Sequence, residues 1–191
     1  HTTNVRCVGK EDCGSGITRP RSFHEIDGMI TDTPGVVLAT FYADCVPLYF
    51  VDTKNKAIGM AHSGWRGTAD GMGKKMLKTM ADEYGTDPAD VVAAIGPSIG
   101  KCCFQVDKPV VDIFRNNFKF ADKYIRDDES YPGKYKIDLW GINKEMFMEC
   151  GVKEENIEIG GLCTMCRPDI FYSHRVMGEE RGTMAAFLFL K

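Results

Sequence analysis

An α/β domain is what this sequence predicts, on three observations. Two apolar runs, VVLATFYA and VPLYFV, flank Asp44-Cys45, and a third, AIGMA, follows a Lys54-Asn55-Lys56 turn and leads to His62. Each has strand length and is rich in β-branched or aromatic residues, so the stretch reads as neighbouring buried strands. From about residue 69 to 84, Met72, Met76, Leu77 and Met80 then recur at helical spacing. Finally, 191 residues with 43% hydrophobic and 27% charged content suffice for one sizeable core, so residues 1–191 are read as a single domain.

The remaining elements follow in order. Residues 2–8 (TTNVRCV) read as a strand in progress, and because the chain opens at His1 without a Met it is expected to be a fragment or a processed form. Residues 9–21 are turn-rich and polar, a surface loop. His24 is expected at the surface in a short strand, residues 26–31 form another, and Asp32-Thr33-Pro34-Gly35 is a turn. Ser63 to Thr68 is a glycine-bearing loop feeding the methionine-rich helix, which Gly85 ends before Asp87-Pro88 redirects the chain into the strand VVAAIG. Gly96 to Gly100 is a turn able to wall a pocket. Residues 108–118 and 139–150 have helical periodicity, are joined by a charged loop at 123–136, and end at Gly151. Cys163, the turn Arg167-Pro168-Asp169, Ser173-His174-Arg175 and a last strand at 184–190 complete the chain. It has no internal repeat, low-complexity tract or linker.

A formal net charge of −3 and a pI near 5.8 argue against a nucleic-acid groove. No apolar run reaches membrane-helix length, so a soluble, cytoplasmic protein with no membrane partner and no obligate protein partner is expected. The eight cysteines are spread through a core-forming chain and read as mostly reduced thiols. Cys163-Thr164-Met165-Cys166 is a C-x-x-C, but without a second pair it is read as two packed thiols in preference to a redox or structural-metal site.

Cys45 and His62 are the leading catalytic candidates. They stand seventeen positions apart, and a strand, short turn and return strand bring such positions together. The competing readings are a buried small thiol and a satisfied core histidine. Arg66, with loop amides near Gly64 and Gly67, offers an anion site, against a plain strand-to-helix connection.

ADCVPLYF, AHSGWRG, AAIGPSIG and the closing SHR and RGTMAAFLFL segments together resemble the laccase-domain family, the YfiH-type proteins first called polyphenol oxidases and later purine nucleoside phosphorylases. The resemblance covers nearly the whole chain. It implies a four-layer α/β/β/α sandwich with mixed sheets, lacking the family's N-terminal part. It also implies one zinc on the histidine of a Q-x-H segment, the ADC-x-P cysteine and the AH-x-GWRG histidine, which here are His1, Cys45 and His62. The Gln of the first motif is absent from this chain. Two imidazoles and one thiolate with an open fourth position suit catalytic zinc. The expected activity is purine nucleoside phosphorylase with adenosine deaminase activity, on adenosine, inosine or methylthioadenosine with phosphate. Asp44, Arg66 and Arg175 are the substrate-binding candidates. Two other classes stay open. A copper-dependent polyphenol oxidase shares the His₂Cys ligand set, although only four histidines are present. A cysteine hydrolase would use Cys45 as nucleophile and His62 as base.

Overall fold

A computed structural model describes residues 1–191. In chain order the strands are β1 (Val5–Cys7), β2 (Gly28–Thr31), β3 (Val37–Tyr42), β4 (Val46–Asp52), β5 (Ala57–Ser63), β6 (Val91–Ile95), β7 (Gln105–Asp107), β8 (Ile125–Asp127), β9 (Lys134–Ile137), β10 (Ile157–Ile159) and β11 (Met184–Phe189). The helices are α1 (Trp65–Ala69), α2 (Met72–Tyr84), α3 (Lys108–Asn117), α4 (Leu139–Glu149) and α5 (His174–Met177). Six strands form a mixed sheet in the order β1-β2-β5-β4-β6-β10, β3 pairs with β11, and β7-β9-β8 make a small third sheet.

Strand periodicity separates the layers. Along β4, Val46, Leu48 and Phe50 face the helices in a core of 29 buried residues, while Tyr49 and Val51 face β3 and β11. The same alternation turns Ile58, Met60 and therefore His62 of β5 towards the second sheet. Met72, Met76, Leu77 and Met80 of α2 are all buried, as their spacing predicts. Close approach requires glycine beneath them: a Cβ on Gly59 would lie 2.8 Å from Met76 Cε. Helices, the large sheet and the β3–β11 pair thus stack as α/β/β, and the outer face of that pair presents exposed Val37, Phe41, Phe187 and Phe189.

Four expectations need correction. The run 36–43 does not pair with the run after Cys45, because the chain crosses between sheets at residues 43–45 and β3 finds β11 instead. The segment after Ser63 is helical from Trp65, and α1 and α2 are separated at Asp70-Gly71, where Gly71 has φ 79°. The charged loop 123–136 contains β8 and begins β9, whose strands are too short for a period-2 signal. His24 is exposed as expected but lies outside any strand.

The β4–β5 turn is fixed by Asp52, fully buried, whose carboxylate accepts from the N–H groups of Lys54 (3.0 Å) and Asn55 (2.9 Å) and from Asn55 Nδ2 (2.9 Å). Burial works to raise its pKa, but these donors win and hold the carboxyl below its usual value. Asp52→Ala is expected to cost about 1–3 kcal/mol, read from urea midpoints. Because the folded value is depressed, the contribution is complete above the unfolded carboxyl value and disappears as pH falls through the folded one. The gap between wild type and variant should therefore narrow below about pH 4.

Candidate metal and active site

The site lies where β4 and β5 end. Val46 pairs with Ser63 and Pro47 with His62, so Cys45, just before β4, stands diagonally next to His62. On the other flank, Gly28 pairs with Ala61, which places Asp27 opposite His62; the His62 N–H donates to the Asp27 carbonyl at 2.8 Å. The Asp27 side chain then performs two tasks. Its Oδ1 lies 3.2 Å from His62 Nδ1, and its Oδ2 accepts from the Thr2 N–H and hydroxyl. The Glu25 carbonyl lies 2.9 Å from the same Thr2 hydroxyl, so its one hydrogen is shared between that carbonyl and Asp27. Those bonds hold His1 against the site, its ring edge-on to His62 with centroids 4.8 Å apart and its Nε2 3.8 Å from Cys45 Sγ.

Charge is balanced locally. Burial works against protonating His62, but the Asp27 carboxylate and Cys45 outweigh it and push the imidazole up to about 9. Burial likewise works to raise Asp27, while His62 and the Thr2 N–H hold it down to about 2. The Asp27 to His62 approach is close but poorly directed, so Nδ1 lacks a well-formed hydrogen bond. Tyr42 leans over the His62 ring at 5.3 Å between centroids. Burial raises its phenol.

The donor set fits a metal ion. One ligand atom each from His1, Cys45 and His62 lie within 4.8 Å of one another. Gly64 leaves the space open: a Cβ there would sit 2.9 Å from His1 Cδ2 and 3.0 Å from Cys45 Sγ. With the Asp27 carboxylate 3.2 Å from Nδ1, His62 keeps Nε2 as its free ligating nitrogen, and a small reorientation of that contact would complete the carboxylate–histidine arrangement found behind metal ligands.

Asp44 is 7% exposed and turned inward at φ 79°. Its carboxylate accepts from Thr164 Oγ1 (2.6 Å), Ser173 Oγ (3.0 Å) and the Arg175 N–H (2.8 Å). Arg175 is exposed, with Nη2 donating to the Gln105 carbonyl at 2.9 Å and its guanidinium 5.5 Å from the Phe104 ring centre. Arg66 is exposed, stacked 4.3 Å from the Trp65 ring centre, and has no carboxylate within 4.0 Å. Gly67 is a helical residue within α1, not a loop amide.

Beside His1, His62 and Asp27 opens a cleft of about 400 Å³, walled by residues 12–17, Arg21, Phe23, His24, Glu25 and β3. Its size falls in the range of small-molecule sites. Neither Arg66 nor Arg175 lines it; Arg21 does. Sequence reasoning missed Asp27, Tyr42, Gly64 as a spacer, Thr164 and Ser173. Only the strand register identifies the first; Gly64, Thr164 and Ser173 stand inside AHSGWRG, the C-x-x-C and SHR, but nothing in those motifs marks the contacts they make, and Tyr42 reads only as a strand residue.

The chain belongs to the laccase-domain, YfiH-type family: the family model described as multi-copper polyphenol oxidoreductase laccase matches residues 1–191. Among its relatives, it is similar to "Purine nucleoside phosphorylase YlmD" of Bacillus subtilis, 36% identical over 195 aligned positions covering 100% of this chain and 68% of that one. It is 38% identical to "Purine nucleoside phosphorylase" of Bacteroides thetaiotaomicron, over 95% of this chain and 67% of that one. The fold matches the crystal structure of the Bacillus licheniformis hypothetical protein YfiH with a TM-score of 0.94 at 37% identity, over 100% of this chain and 72% of that one. The family and the mixed α/β class are those that the sequence motifs imply. No helix is long and apolar enough to cross a membrane.

Proposed function

We propose that this chain is a zinc-dependent purine nucleoside phosphorylase with adenosine deaminase activity, acting on adenosine, inosine or methylthioadenosine. The observation that carries the reading is the convergence of His1, Cys45 and His62 beside a nucleoside-sized cleft, in a chain whose relatives are named purine nucleoside phosphorylases. Zinc held by these residues would supply a Lewis acid and lower the pKa of water to about 7. The protein's own groups do the rest. Asp27 orients His62, Gly64 admits the close approach of His1 and Cys45, and the cleft wall excludes water from a bound purine. Phosphorolysis further needs a cation beside the ribose as the glycosidic bond breaks. Arg66 supports that role through an unpaired guanidinium two residues from Gly64, and Arg175 is the second candidate. Asp44 acts by holding the turn that presents Cys45.

Zinc-loaded protein is expected to release hypoxanthine from inosine only with phosphate, and to convert adenosine to inosine without it. Arg66→Ala should raise the phosphate KM about tenfold or more, spare zinc content and affect deamination less. Phosphate-independent loss of both activities would assign Arg66 to nucleoside positioning instead. The copper oxidase reading rests on the family model's description and the shared ligand set. Copper-loaded protein that oxidises phenols while zinc-loaded protein leaves inosine intact would establish it over ours. A cysteine hydrolase would keep its activity after complete metal removal, since Cys45 would act as a free thiolate.

A further inference from the structure

The C-x-x-C at Cys163 and Cys166 is not an isolated pair. Cys102 and Cys103, which no spacing motif links to it, arrive from the segment after β6, and one sulfur from each of the four lies within 4.8 Å of the others. Cys166 Sγ is 3.6 Å from Cys102 Sγ and 3.4 Å from Cys103 Sγ. We propose that Cys102, Cys103, Cys163 and Cys166 form a tetrathiolate site for a zinc-class divalent cation, separate from the His1, Cys45 and His62 cluster, that clips the segment after β6 to the segment after β10.

Geometry favours a metal over the alternatives. Zinc–sulfur bonds of about 2.3 Å in a tetrahedron place sulfurs about 3.8 Å apart, close to what these thiols already show. A disulfide needs about 2.05 Å. Packing alone explains burial, yet only Cys163 is buried; Cys103 is half-buried, and Cys102 and Cys166 are exposed, which leaves a path for the ion. The backbone is also arranged around sulfur. The Gly100 N–H donates to Cys163 Sγ at 3.3 Å, and the turn in which the N–H groups of Cys103 and Phe104 both reach the Gly100 carbonyl brings neighbouring cysteines to one side. The two segments already run together, with the Ser98 N–H on the Leu162 carbonyl (3.2 Å) and the Thr164 N–H on the Ser98 carbonyl (3.1 Å).

Binding exchanges S–H bonds for metal–sulfur bonds, releases the thiol protons to solvent and moves no electrons. The clip has a structural target. Thr164 stands between two of the ligands and donates to Asp44, next to Cys45, so the cation would fix the loop that holds the neighbouring site.

The test counts zinc in protein purified without chelator. Cys45→Ala is expected to retain one equivalent per chain, and Cys163→Ser/Cys166→Ser to lose that equivalent while keeping any at His1, Cys45 and His62, so the two sites succeed or fail separately. Should the double variant not fold, cobalt-loaded Cys45→Ala protein decides the matter, because a tetrathiolate gives intense sulfur-to-cobalt charge transfer and a tetrahedral visible spectrum. Absence of those bands overturns the proposal. So does peptide mapping that finds Cys166 disulfide-bonded to Cys102 or Cys103 in the protein as isolated.

Discussion

Gly64→Ala is expected to abolish most of the turnover while leaving the fold intact, a drop of about 100-fold or more in kcat/KM, equivalent to about 2.7 kcal/mol. The backbone at Gly64, φ −64° and ψ 177°, is open to any residue, so conformational strain is not the cause. The cause is contact. The added carbon would lie 2.9 Å from His1 Cδ2, 3.0 Å from Cys45 Sγ and 3.1 Å from His1 Nε2, and at least one of those ligands must withdraw. A ligand displaced by a fraction of an ångström no longer shares a centre with the other two. Stability should change by no more than about 1 kcal/mol, the scale of an N-cap substitution. The second glycine of the motif supplies the control. A Cβ on Gly67 would meet nothing closer than Ser63 Oγ at 3.7 Å, ordinary contact inside a helix. Gly67→Ala should therefore be neutral or stabilising by about 0.5–1 kcal/mol, with activity kept. Zinc content and kcat/KM measured side by side on the two variants check the argument, and equal losses would refute it.

That contrast shows where sequence reading reached its limit. The methionine spacing of α2, the Gly85 stop and the strand-turn-strand between Cys45 and His62 are local patterns, and the structure realises each. The ligand set implied by AHSGWRG and ADCVP also falls together in space. What could not be read is non-local. Nothing near Asp27 announces a partner for His62, because the pairing exists only once β2 lies antiparallel to β5 in one register. The three apolar runs predicted one sheet, yet Asp44 in a left-handed turn diverts the chain and sends β3 to β11, about three-quarters of the chain length away. Cys102-Cys103 and the C-x-x-C stand about sixty positions apart, so a spacing rule that looks for two similar pairs passes over them.

Asp44 also carries the second large effect. Asp44→Ala is expected to cost about 3–5 kcal/mol, because it leaves two buried hydroxyls and the part-buried Arg175 N–H without their acceptor at once and keeps a side chain in a left-handed conformation. Asp44→Asn should cost much less, about 1–2 kcal/mol, for a reason that can be worked out atom by atom. Asparagine tolerates positive φ better than other residues apart from glycine. Its Oδ1 can take the Oδ2 place, accepting from Ser173 Oγ and the Arg175 N–H, while its Nδ2 donates to Thr164 Oγ1, whose hydroxyl can turn to accept. The reverse orientation fails, since the Arg175 N–H cannot become an acceptor. If Asp44 works by positioning the turn rather than by touching substrate, the two variants should rank identically in stability and in zinc affinity, with Asp44→Ala about 10–100-fold weaker in zinc. The KM for inosine of metal-saturated Asp44→Asn should then stay near the wild-type value. A KM that rises sharply in Asp44→Asn with zinc fully bound would instead make the carboxylate a direct substrate contact, and would mean that the Thr164 and Ser173 bonds open during turnover.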